Sequence, residues 1–317
     1  VTCVTGSSES AGLPLTERNP SLKGHYDLVL KSLDPEKIAQ KADVIFVALS
    51  HTTAMAPVAQ FIDLKKKVID LSADYRLSSA SRYKKWYGTD HIAPELLKKR
   101  VYGLTEIHRN KLSQAMLVAN PGCYPTGTLL LLYPFLKGGL LDTTREIIID
   151  AKSGVSGAGR MPTAKTHFSE VNEAFYAYNI GTHRHLPEIE QGITTFGEKK
   201  AKTLFTPYLL PVNRGILTTI YFPLKRRLSQ KEIDECLKIY EHECFIRLMN
   251  VSPNLSSVRG TNYCDIAAFE TPTQRTVLLI SAIDNLVKGA AGQAIQNMNL
   301  MMGWEESLGL MLPGLFP

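Results

Sequence analysis

A chain of 317 residues with 44% hydrophobic and 21% charged residues has the composition of a globular protein long enough for two cores rather than one. Its net charge of +6 is modest, and its basic clusters, Lys65 to Lys67, Lys98 to Arg100 and Lys225 to Arg227, are short and not interleaved with aromatics, which speaks against a nucleic-acid surface. Five cysteines without paired spacing argue against a disulfide framework, no apolar run reaches the ~20 residues of a membrane span, and the N-terminus lacks a signal-peptide pattern, so a cytoplasmic protein is expected.

In chain order, Val1 to Thr5 reads as a β-branched strand ending in the loop Gly6 to Ser10. Ala42 to Ala48 is a continuous apolar run and reads as a buried strand, Thr52 to Asp63 fits a helix, and Lys67 to Leu71 is another short strand. Strands alternating with helices predict parallel βαβ units in a doubly wound α/β sheet, where ligands sit at the carboxyl ends of strands. The polar strand ends at Ser7, Ser50 to His51 and Ser72 to Ala73 would then line one crevice. No G-x-G-x-x-G stands between a first strand and a helix, and the cluster Gly154, Gly157 and Gly159 has the wrong spacing, so motif grounds alone do not establish nucleotide binding.

The most distinctive stretch is Asn120-Pro121-Gly122-Cys123-Tyr124-Pro125. A short apolar run precedes it, Leu129 to Leu136 follows, and Asn-Pro-Gly forces a sharp strand-to-helix turn. Pro125 suits the first helical position. A cysteine held there meets unpaired backbone N–H groups and the positive end of a helix dipole, both of which favour thiolate. Cys3, Cys236, Cys244 and Cys264 carry no such signal and read as packing residues.

Glu146 to Ala151 reads as a strand running into the Gly- and Ser-rich loop Lys152 to Arg160, where Ser153 and Arg160 could hold a phosphate or carboxylate. In Thr182-His183-Arg184-His185-Leu186-Pro187-Glu188, a histidine can move a proton near neutral pH and a carboxylate can orient it; the residues themselves leave a structural role open. His183 and His185 alternate without a nearby Cys or Asp, which argues against a metal. Arg214, at a turn before the strand Ile216 to Phe222, is a second anion-pairing candidate. The pattern Ile233, Leu237, Tyr240 predicts an amphipathic helix, Val258 to Asp265 and Thr276 to Ala282 two strands, and Asn285 to Met302 a helix with a small-residue face.

Taken together, DLSADYRL (70–77), VYGLTE (101–106), VANPGCYPT (118–126), DAKSGVSGAGR (150–160), HRHLPEIEQG (183–192), RGTNYCD (259–265) and AIDNLVKGAAGQAIQNMNLMMG (282–303) resemble the N-acetyl-gamma-glutamyl-phosphate reductases of the semialdehyde dehydrogenase family along the whole chain. The resemblance implies NADPH-dependent reduction of N-acetyl-gamma-glutamyl phosphate to N-acetylglutamate semialdehyde and phosphate, in arginine biosynthesis, through a thioester on Cys123. It implies His185 as acid/base, Glu188 orienting it and His183 nearby, with Ser153, Arg160 and Arg214 on substrate. For NADP(H) it points to Ser7 and Ser8 near the adenosine ribose, Ser50, His51, Ser72 and Ala73 along the crevice, and Asn285, Gly289 and Ala290 near the nicotinamide.

The family pattern begins with a strand, a Gly-rich turn and a helix that do not precede Val1 here, so the chain is expected to start in the second strand without the pyrophosphate turn. Ser8 and Glu9 stand where a basic residue often follows, so NADP over NAD comes from the resemblance alone. It further implies a Rossmann-type domain of residues 1–123 plus 284–317, an α+β catalytic and oligomerisation domain of 124–283, and a homo-oligomer, dimer or tetramer. An aspartate-semialdehyde dehydrogenase-like enzyme, or a cofactor-free thiol acyltransferase, hydrolase or binding module, remain the alternatives. A free or a carrier-linked acyl phosphate is left open.

Overall fold

The structure, a computed structural model, describes residues 1–273 and 275–315. Two sheets organise the chain. The first holds β1 (Val44–Val47), β2 (Lys67–Asp70), β3 (Val101–Tyr102) and β4 (Leu117–Ala119), all parallel, in the order β1-β2-β4-β3. These strands are short apolar runs buried at Val68, Ile69, Val118 and Ala119, as parallel strands covered on both faces must be. The helices α1 (Met55–Asp63), α2 (Ala80–Tyr87) and α3 (Thr105–Leu112) lie between them in sequence. Phe61 and Val58 of α1 pack with Val47 and Val68.

The second sheet is mixed: β5 (Ile147–Gly154), β6 (Tyr176–Ala177), β7 (Thr203–Leu210), β8 (Ile216–Pro223), β9 (Ile246–Leu248), β10 (Cys264–Glu270) and β11 (Thr276–Ile283), in the order β6-β7-β5-β8-β11-β10-β9. One face carries the larger core, into which Ile147, Ile149, Ile220 and Leu279 point together with Leu129 to Leu132 and Phe135 of α4 (Cys123–Lys137). Each such side chain contributes ~1.5–3 kcal/mol on leaving water. Helix α5 (Leu186–Gly197) packs on α4 so closely that a Cβ at Gly192 would collide with Leu129. The opposite face is open: Leu204, Ile148 and Tyr221 lie side by side in register and are 46%, 36% and 43% exposed.

After α6 (Gln230–Leu237), started by a Ser229–Glu232 capping box, and the last strands, the chain returns to the first sheet. Ala294 and Met301 of α7 (Gly292–Met301) pack with Ile69, Leu112 and Val118. A parallel sheet and a second α+β layer were expected; both are present, and the sheet of the second is mixed.

Three local expectations need correction. Val1 to Thr5 forms no strand; Thr5 makes an isolated bridge to Lys31, and no ladder neighbour runs beside it among the described residues. Val258 to Asp265 is a helical end, Leu255–Val258, followed by Gly260 at φ 79°, with β10 starting only at Cys264. There the Thr261 backbone N–H donates to the Val258 carbonyl at 3.0 Å, a turn bond in place of a ladder bond, and buried Asn262 bonds Gln296 of α7. Asn285 to Met302 is not one helix: Asp284 Oδ1 accepts the Leu286 and Val287 N–H groups, Val287–Ala291 winds as a π turn, and α7 follows.

Candidate active site

Gly122 is the N-cap of α4 and Cys123 its first residue. Pro125 therefore falls third in the helix rather than first, still among the residues whose N–H has no helical partner. The turn is tied from both sides. Asn120 N–H donates to the Asp70 carbonyl at 2.8 Å, the Asn120 carbonyl accepts from Arg76 Nε at 2.8 Å, and Asn120 Nδ2 donates to the Ala290 carbonyl at 3.1 Å. Glycine is required at two contacts: a Cβ on Gly122 would run into His185 and Arg76, and one on Gly289 would lie 2.8 Å from Cys123 Cβ.

Glu188, in the first turn of α5, is buried below this turn. Its Oε1 accepts the Gly122 N–H at 2.9 Å and the Tyr102 hydroxyl at 2.6 Å, and Oε2 lies 3.6 Å from Arg76 Nη1. The carboxylate thus holds the cysteine turn and Arg76, and not the His185 ring as expected. Arg76 is itself nearly saturated, with Nη2 donating to the Leu71 carbonyl at 2.8 Å.

His185 precedes α5, and its Nε2 lies 3.5 Å from Arg76 Nη1. Burial, with His183 and Arg76 beside it, pushes its pKa well below the ordinary imidazole range, so the ring is neutral. An arginine can only donate, which makes Nε2 the lone-pair nitrogen and puts the proton on Nδ1. His183 accepts the His185 N–H on Nδ1 at 3.1 Å, and its Nε2 is 3.5 Å from the Tyr178 hydroxyl. Burial pushes His183 down to about 4. Both rings meet Tyr124 edge to face, at 5.2 and 5.7 Å.

Burial pushes the Cys123 thiol up to about 11, while the Arg76 cation and the Tyr124 backbone N–H pull the other way. The sequence predicted a thiolate from the helix terminus alone; in the ligand-free chain desolvation outweighs that terminus. A neutral thiol and a neutral imidazole lining one cleft are groups that can serve as nucleophile and base.

A cleft of about 740 Å³ opens over this pair. It brings together Cys123, His183, His185, His51, Asn285, Gly289 and Ala290, with the loop Ser156 to Gly159 on its rim. The remaining sequence candidates lie outside its walls. Ser72 and Ala73 sit behind His51, Ser72 bonded to Asp70 at 2.9 Å and Ala73 N–H donating to His51 Nδ1 at 3.1 Å. Ser153 is buried and donates to the Gly154 carbonyl, Arg160 donates to the Arg18 carbonyl at 3.0 Å, and Arg214 lies 3.4 Å from Asp284. Ser7 and Ser8 are in an exposed turn where Ser7 meets Ser10, and the Ser50 carbonyl accepts from Thr53. Among the described residues no group of three His, Cys, Asp or Glu side chains is arranged to hold a metal ion.

Sequence reasoning assigned no role to Arg76, Tyr102 or Arg184. Arg76 and Tyr102 sit within the DLSADYRL and VYGLTE stretches, each just past or at the end of a parallel strand, and that position was the available signal. Arg184 lies between the two histidines and lines the cleft, its guanidinium 5.5 Å from the Tyr87 ring.

Residues 1–115 match the family "Semialdehyde dehydrogenase, NAD binding domain" and residues 123–285 the family "Semialdehyde dehydrogenase, dimerisation domain". The N-acetyl-gamma-glutamyl-phosphate reductase of Geotalea daltonii is 49% identical over 321 residues, covering 100% of this chain and 92% of its own. That of Geobacter metallireducens is 50% identical over 322 residues with the same coverages. Among solved structures, aspartate semialdehyde dehydrogenase II from Vibrio cholerae aligns with a TM-score of 0.71 at 13% identity, over 95% of this chain and 90% of that one. The Candida albicans aspartate semialdehyde dehydrogenase with NADP aligns with a TM-score of 0.67 at 16% identity, again over 95% and 90%. These last two likenesses show the fold.

Alkylation of Cys123 by iodoacetamide in the ligand-free protein, followed peptide by peptide by mass spectrometry, is expected to accelerate with pH up to about 11. Arg76→Met, which removes the cation that favours thiolate, should move the midpoint higher still. A wild-type midpoint near about 7, or no upward shift in a folded Arg76→Met protein, would contradict this electrostatic account.

Proposed function

We propose that this chain, which belongs to the semialdehyde dehydrogenase family, is the NADPH-dependent reductase that converts N-acetyl-gamma-glutamyl phosphate to N-acetylglutamate semialdehyde and phosphate, a step of arginine biosynthesis. Relatives of that name at 47–50% identity, spanning 94–100% of the chain, carry the assignment. The aspartate enzymes share the fold at 12–16% identity and do not compete for the substrate.

The cleft has the place and the lining for the nicotinamide half of a dinucleotide. It runs from His51, just beyond the carboxyl end of β1, to Gly289 and Ala290 beside Cys123, the end of a parallel sheet where such ligands sit. The lack of a side chain at Gly289 lets the cleft wall pack directly against Cys123. His51, Asn285, Gly289 and Ala290 would hold the nicotinamide half, and when bound NADPH supplies the hydride that reduces the thioester.

The chain's own residues do the rest. The Cys123 thiol gives its proton to His185 Nε2 as sulfur attacks the acyl carbonyl; the carbon–oxygen bond to phosphate breaks, the departing phosphate takes a proton from solvent, and a thioester remains. His185, now protonated, returns the proton to the thiolate when the reduced tetrahedral adduct collapses to aldehyde. Backbone N–H groups at the start of α4 face the developing oxyanion. Arg76 stabilises negative charge beside the sulfur, and Arg184, the other arginine on the cleft wall, receives the phosphate or carboxylate of the substrate. Glu188 acts through Gly122 and Arg76 and is a positioning residue.

We place the boundary between the nucleotide-binding and catalytic domains at Cys123, with 284–317 returning to the first. The free thiols fit the reducing cytoplasm. The row Leu204, Ile148, Tyr221 supports a homodimer joined through the open sheet face. Tyr221→Arg is expected to yield monomer in light scattering, and an unchanged oligomer would sink that interface.

Followed in reverse as phosphate-dependent reduction of NADP with N-acetylglutamate semialdehyde, Cys123→Ser should lose at least about a thousandfold in kcat and His185→Asn about 10²- to 10⁴-fold. Turnover retained in Cys123→Ser, or a preference for aspartate semialdehyde, would overturn the assignment.

A further inference from the structure

The chain completely buries a lysine that does not line the cleft. Lys288 lies in the π turn Val287–Ala291, with no solvent exposure, and its Nζ donates to Glu106 Oε1 at 2.5 Å and to Gln296 Oε1 at 2.8 Å. Glu106 projects from α3, and its side chain is equally dry; the same Oε1 also accepts from Gln296 Nε2 at 3.0 Å. Lysine and glutamate are almost never fully buried unless paired, and a buried pair is a poor way to gain stability, because apolar side chains of similar volume do as well or better. What a pair has and an apolar contact lacks is direction.

The direction matters here because of the neighbouring residue. Gly289 lies against Cys123, so near that a Cβ would come within 2.8 Å of the cysteine Cβ, and Ala290 accepts the hydrogen bond from Asn120 at the cysteine turn. π turns are wider than α-helix and uncommon, and this one is closed by Gly289 N–H on the Asp284 carbonyl and Ala291 N–H on the Leu286 carbonyl. Successive residues of such a turn point in different directions, so fixing Lys288 toward α3 fixes Gly289 toward Cys123.

We propose that Lys288 and Glu106 are positioning residues: their ion pair anchors the π turn to α3 and so sets the gap between Gly289 and the Cys123 nucleophile. This rests on Cys123 being the nucleophile. The pair touches neither substrate nor cofactor, and it acts through the wall that both must pass.

Three variants of the full-length protein test it: E106D, which shortens the anchor by one methylene, E106Q, which leaves the lysine without a charged partner, and E106L/K288M, which removes both charges together. The double variant should melt close to wild type while its kcat falls roughly tenfold to a hundredfold, with KM little changed. The alkylation rate of Cys123 in the cofactor-free protein should change in the same variant. E106D should fold and move kcat and alkylation in the same directions, and E106Q should be the least stable of the three. A double variant with wild-type kcat and alkylation rate would make the pair merely structural and overturn the proposal. Should the double variant not fold, wild-type kcat and alkylation in E106D overturn it equally. Failure of the parent reading would appear separately, as turnover in Cys123→Ser, and would leave the alkylation comparison valid.

Discussion

A single buried carboxylate joins the parts on which the site depends. Glu188 comes from α5, beside the mixed sheet, yet it accepts hydrogen bonds from Gly122 at the cysteine turn and Tyr102 at the end of β3, and faces Arg76 from the loop after β2. Leaving any of these groups unpaired in a dry interior costs ~1–3 kcal/mol, more for a charged one. The helix bearing His185 therefore cannot shift relative to Cys123 without breaking several bonds together. Rigidity of this kind suits the proposed two-step covalent reaction, in which the same thiol and imidazole would meet first the acyl phosphate and then the reduced adduct.

The same dryness sets the protonation states. Desolvation holds Cys123 as a thiol and His185 as a neutral base, with Arg76 the cation that limits the cost of the thiolate once it forms. A resting thiol is less exposed to oxidation than a standing thiolate.

Features dictated by neighbours in sequence were legible in the sequence. Asn120-Pro121-Gly122 forces its turn locally, so the corner carrying Cys123 could be read without a structure, and the apolar runs of β2, β5 and β8 announce themselves by pattern. Features set by distant partners were not. Val258 to Tyr263 has the β-branched and aromatic look of a strand, but Asn262 bonds Gln296 and Gly260 takes a left-handed turn. Lys288 of the π turn pairs with Glu106, far back in the chain, and periodicity cannot display such a partner. Arg76 and Tyr102 gain their meaning only when folding brings Glu188 to them. The thiolate expectation erred for a related reason: a helix terminus is visible in sequence, and burial of the thiol is not. The likeness to a known family named the reaction; local chemistry had marked Cys123 as a candidate nucleophile and no more.

The central claim is that Cys123 carries the acyl group. Its most direct test is to mix the protein with N-acetyl-gamma-glutamyl phosphate in the absence of NADPH, quench in acid and map the modified peptide by mass spectrometry. The account predicts one acyl adduct, on the peptide containing Cys123, labile to hydroxylamine and discharged as aldehyde when NADPH is added before the quench. An adduct on another residue, or NADPH-dependent aldehyde formation with no acylated cysteine at any time point, would contradict it.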